Sequence, residues 1–150
     1  MKIDEHHRHR LETTVQLIAE SMARCEQWLA TSREGIVRVV RRSIEENGRE
    51  QLARDLDRLR AALERFAMDF ELEAQPVDLA QVLNAEFSSA WVMLENCRPQ
   101  RMKGYGVAFD PKGAAALNQS IDGLLRQVEA LRKEVAEASE KIGPQNGEEA

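Results

Sequence analysis

The amino-acid sequence predicts an all-α chain, folded as an antiparallel four-helix bundle with coiled-coil-like heptad seams. Three observations lead there. Apolar residues recur every three or four positions along most of the chain, the period of one helix face. Proline is scarce, at 4 residues of 150, and aromatic residues make up only 5%, which suits helices better than packed strands. Capping residues and Gly or Pro breaks fall largely between the periodic stretches. With 43% hydrophobic and 31% charged residues, a core is available and wholesale disorder is not expected.

The first periodic stretch starts near Asp4 and runs Leu11, Val15, Ile18, Met22, Cys25, Leu29, then Ile36 and Val39. Ser32 fills the gap, so one heptad frame survives throughout. Thr31 and Glu34 have capping-box spacing, and Gly35 follows, yet a glycine inside a helix costs only about 1 kcal/mol relative to alanine. The expectation is one long first helix, with a kink allowed at Thr31–Gly35, ending at the C-cap pair Asn47-Gly48.

The second stretch is Leu52, Leu56, Leu59, Leu63, Phe66, Phe70, expected to stop at Gln75-Pro76 because proline disfavours helix in the residue before it. Folding it back across Gly48 sets Leu56 near Val40, Leu59 near Ile36 and Leu63 near Ser32. Asp78 is an N-cap for a third helix carrying Leu79, Val82, Leu83, Phe87, Trp91 and Leu94. That helix fades at Cys97-Arg98-Pro99. Asp110-Pro111 restarts the chain with a cap and a proline at the first helical position. The last helix repeats Leu117, Ile121, Leu124, Val128, Leu131, Val135, Ala138 up to Gly143-Pro144. One domain over 1–142 with a disordered tail over 143–150 follows. A first helix of about 65 Å against a third of about 30 Å would leave apolar surface overhanging. A homo-oligomer is the expected remedy.

Functional signals are sparse. A net charge of −5 argues against wholesale coating of nucleic acid. The two cysteines, Cys25 and Cys97, are too few for a disulfide framework and fit a reducing compartment. Cys25 sits on the seam, where a small buried role is expected, and Trp28 and Trp91 read as packing anchors. No apolar leader or bilayer-length run is visible, so the expected setting is cytoplasmic, with no membrane partner.

All three histidines, His6, His7 and His9, lie within Asp4–Arg10 beside carboxylates, at spacings that can hold a divalent metal weakly. No histidine follows, which removes a ferritin-like Glu-x-x-His centre and a mid-helix phosphoryl acceptor. It leaves no catalytic residue and no cofactor motif to name. Gly104-Tyr105-Gly106 lacks the strand and the Lys-Ser/Thr of a phosphate loop.

The connector between the third and fourth helices is the most informative segment. Arg98, Arg101, Lys103 and Lys112 face only Asp110 between 98 and 113, and the only tyrosine, Tyr105, sits between two glycines. Arg98, Arg101, Lys103 and Tyr105 are therefore candidate binding residues for a polyanion, gripping phosphates and stacking a base. The alternative is a cap, with Tyr105 and Phe109 packed over the bundle end and the cations neutralising helix C-termini. Arg38, Arg41 and Arg42 precede Glu45 and Glu46 and read as a solvated face. The function expected first is a non-enzymatic adaptor or regulatory subunit acting through self-association and a protein partner. Nucleic-acid binding by the loop comes second, and metal binding by the histidine cluster third.

Overall fold

The structure is a computed structural model, and it describes residues 3–30 and 35–142. It is all-helical, with four helices and no strand among the described residues: α1 (Glu5–Ala30), α2 (Glu46–Asp69), α3 (Leu79–Asn96) and α4 (Pro111–Ile142). The chain divides into two compact units, Met1–Gln75 and Pro76–Ala150. Helix α1 packs on α2 within the first, and α3 on α4 within the second.

Helix α1 opens where the Asp4 carboxylate accepts the backbone N–H of His6 at 2.9 Å and of His7 at 3.3 Å. It does not run on to Asn47-Gly48 as the heptad frame suggested. It is described to Ala30, Thr31–Glu34 lie outside the described residues, and 35–45 carry no helix. Four of the five residues from Ile36 to Val40 are β-branched, which lowers helix propensity where no partner packs on them. Asn47 and Gly48 lie in the first turn of α2 rather than capping the helix before it.

The pairing of Leu56 with Val40 and of Leu59 with Ile36 is overturned with that long helix, and the pairing of Leu63 with Ser32 lies outside the described residues. Arg49 instead donates to the carbonyl of Leu29, and Arg60 pairs with Glu26. Helices of 26 and 24 residues make rods of about 39 and 36 Å. The expected first helix of about 65 Å, whose overhang suggested an oligomer, is therefore about 39 Å.

Helix α2 ends at Asp69, short of the proline that was expected to stop it. The Glu71 N–H donates to Met68 O at 3.1 Å and the Leu72 N–H to Ala67 O at 2.9 Å. These two bonds define a Schellman cap, with Glu71 at φ 52° in the left-handed position that glycine usually fills. Local capping thus overrides the distant proline. The segment that follows is clasped to the start of α1: Arg8 donates to Glu71 O at 3.4 Å, and the Glu73 N–H donates to Glu12 Oε1 at 3.1 Å. Replacing Glu71 by glycine relieves the left-handed cost while keeping every backbone bond. We expect Glu71→Gly to raise stability by about 0.5–1 kcal/mol in urea unfolding. A neutral or lower value would mean the glutamate side chain contributes something the backbone does not.

The second unit follows the sequence closely. The Asp78 carboxylate accepts the Gln81 N–H at 3.0 Å, capping α3 as expected. Asp110 accepts the Gly113 N–H at 3.3 Å, and Pro111 takes the first position of α4. The core is thin. Only Met22 in the first unit and Ile121 and Leu125 in the second are buried among the described hydrophobic residues.

Candidate functional site

Two features stand out: a half-used heptad seam on the helices, and the α3–α4 loop. On α1, Val15, Met22 and Leu29, seven apart, are half-buried or buried, whereas Ile18 and Cys25 in the alternate row are exposed. On α2, Leu56, Leu63 and Phe66 are half-buried, as is the capping residue Phe70, whereas Leu52 and Leu59 are exposed. The last helix repeats the split, with Ile121, Val128 and Val135 turned inward and Leu124 and Leu131 exposed. An apolar trough between the start of α3 and the end of α4 is lined by Leu79, Leu83, Phe87, Leu131 and Val135. Two sequence expectations are corrected here. Cys25 is exposed rather than a buried seam residue, and Trp28 is exposed rather than a packing anchor, because one neighbouring helix covers only half of a heptad stripe.

In the loop, the four candidate residues divide. Arg98 is spoken for. Its guanidinium donates to both Glu95 oxygens at 2.9 Å, to Asp122 Oδ1 at 2.8 Å and to Asn118 Oδ1 at 3.3 Å, with its side chain only 17% exposed. The hydrogen bond from Arg98, first among the causes, holds the Glu95 carboxyl below its ordinary range. Glu95 and Asp122 in turn raise the Arg98 pKa and fix its charge. This is a strut from the end of α3 to the second turn of α4 and its neighbour.

Arg101, Lys103 and Tyr105 are exposed, and neither cation makes an ion pair among the described residues. The loop is built of tight turns, including the Arg101 N–H to Arg98 O at 2.8 Å and the Tyr105 N–H to Met102 O at 3.1 Å. Gly104 and Gly106, at φ 94° and 90°, place Tyr105 between two backbone positions that other residues rarely adopt. Tyr105 is 86% exposed, so it stands out as a tip and does not pack over the helix ends. Half-buried Met102, not Tyr105, turns inward from the loop.

The histidine-bearing start of α1 gathers Glu5, His6, Arg8, His9 and Glu12 beside Glu73 and Gln75 in one shallow depression. No group of three or more His, Cys, Asp or Glu side chains placed to hold a metal ion occurs among the described residues. His7 Nδ1 contacts the Asp4 carboxylate, and Glu12 holds the Glu73 N–H. The Asp4 carboxyl is held below its ordinary range, first by the His7 backbone N–H. No helix among the described residues is long and apolar enough to cross a membrane.

No family model, curated protein or solved structure gives a significant match to this chain. What the sequence did not disclose is which half of each seam stays open, since a heptad repeat marks both rows alike. The signal for the exposed 36–44 segment was present, as β-branched residues interleaved with arginines.

Proposed function

We propose that this chain is a non-enzymatic helical protein that works by association, with copies of itself and with a protein partner, as an adaptor or regulatory subunit. The observation that carries this reading is the open row left on each helical hairpin. At 100° per residue, Ile18 and Cys25 lie about 40–60° round α1 from Met22, and Leu52 and Leu59 are offset by the same angle and sense from Leu56 on α2. In an antiparallel pair, equal offsets of one sense open on the same side. The unused rows of α1 and α2 thus form one apolar face, and Leu124 and Leu131 are offset from Val128 on α4 in the same way.

Two copies of this face, one from each of two chains, would make an antiparallel four-helix bundle with heptad seams. Exposed leucine and isoleucine rows of this kind are the surface that self-association removes from water. The rows along the described helices are apolar, which favours a role in association, and we place that role in the cytoplasm.

Analytical ultracentrifugation across a concentration series tests the proposal. Wild type should sediment as an oligomer, and Ile18→Glu with Leu59→Glu and Leu131→Glu should shift it to monomer with its helical circular dichroism intact. A wild-type chain that stays monomeric at the highest concentration would sink the self-association. A second reading, polyanion binding through the loop, is favoured by one observation: Tyr105 stands exposed beside Arg101 and Lys103, neither of which makes an ion pair among the described residues. Binding of single-stranded RNA that weakens steeply with salt and is lost in Arg101→Glu with Lys103→Glu would select it.

A further inference from the structure

We infer that residues 36–44 form a docking segment for an anionic lipid surface, folding into a basic amphipathic helix on contact. Ile36 and Val37 are 103% and 91% exposed, and Val39, Val40 and Ile44 are exposed as well. Arg38, Arg41 and Arg42 stand between them, and there is no aspartate or glutamate from 35 to 44 in a chain whose net charge is −5. None of the three arginines makes an ion pair among the described residues. The backbone is nearly unused: the Gly35 N–H donates to Arg38 O at 2.7 Å and the Ser43 N–H to Arg41 O at 2.9 Å.

Wound at 100° per residue, the five aliphatic side chains fall within an arc of about 160°, and the three arginines occupy the remaining side. A stretch this short is not a stable helix in water. It directly precedes α2, however, so covering its apolar side would let it grow from a helix already nucleated.

The occupant follows from phase, width and charge. As an extension of α2, the aliphatic arc would lie about 160° round from the half-buried row Leu56, Leu63, Phe70, and so would point away from the face that meets α1. The hairpin therefore cannot cover it. A partner helix covers a stripe of about 100°, whereas an interface of lipid immerses a whole half-cylinder. Arginines flanking the apolar arc meet the negative surface potential of anionic headgroups. No membrane partner was expected from the sequence, where Ile36 and Val39 fall on the heptad seam of a long helix.

Vesicle flotation of the full chain tests this, using phosphatidylcholine vesicles with and without about one-third phosphatidylserine. The expected result is retention on the anionic vesicles only, with a gain in helical circular dichroism. Arg38→Glu with Arg41→Glu and Arg42→Glu should reduce retention at least about tenfold. Val37→Ser with Val39→Ser and Val40→Ser should do the same. All six positions are solvent-facing, so folding is preserved and is checked by the same spectra. Failure of wild type to float, equal flotation on both vesicles, or unaltered binding by either variant would overturn the inference. So would lipid-independent crosslinking of 36–44 to a second copy, which would assign the segment to a protein interface.

Discussion

Leu125→Ala should destabilise the α3–α4 unit by about 2–5 kcal/mol, the range for truncating a buried leucine where the site cannot collapse. Leu125 is 4% exposed and Ile121, one turn before it, is 2% exposed. Together they are the buried hydrophobic residues of their unit among those described, so no second layer of core compensates for a cavity there. Leu124, the residue before Leu125, is 46% exposed on the open row. Leu124→Ala should change stability by only about 0.5 kcal/mol in dilute monomer. Urea unfolding of the two variants separates them. Equal losses at 124 and 125 would mean that the open row is already covered in solution.

Arg98→Leu should release the loop while leaving the helices formed. The guanidinium ties Glu95, Asn118 and Asp122 together, and no other side chain is bonded to all three. Its removal leaves two carboxylates facing each other across the α3–α4 end. Amide exchange from 98 to 109 should speed up by about tenfold or more, with the middle of α4 unaffected.

Acid should reproduce the effect. The Glu95 carboxyl is depressed by the Arg98 hydrogen bond, so its contribution is complete above the ordinary glutamate range. It is lost as pH falls through the lowered folded value. Wild-type exchange in the loop should therefore rise on acidification below the ordinary carboxylate range, and Arg98→Leu should show little further change. If Arg98→Leu exchanges like wild type at neutral pH, the loop is held by its turns alone.

The sequence revealed the second unit better than the first, for a physical reason. Around α3 and α4 the local signals agree: Asp78 and Asp110 cap, Pro111 starts, and the apolar period runs between them. In the first unit they compete. The heptad frame from Leu11 to Val39 is continuous, but periodicity marks which side would be apolar and not whether a partner is there to cover it. The β-branched cluster at Ile36–Val40 decided against helix, and it lies alone. The end of α2 was set by a left-handed glutamate that no composition rule singles out. Of the loop candidates, Arg101, Lys103 and Tyr105 are exposed, and neither cation makes an ion pair among the described residues. Arg98 looked like them in sequence because Asn118 and Asp122, its partners, are twenty and more residues away.

The exposed Cys25 turns the open row of α1 into its own footprint. Both thiols are free and exposed, yet Cys25 sits within the apolar row whereas Cys97 follows the end of α3. A maleimide reaction timed at both positions gives an internal ratio that needs no introduced label. Burial of the α1 face slows the first thiol against the second, so the occupancy of that face can be followed as concentration or partner is varied.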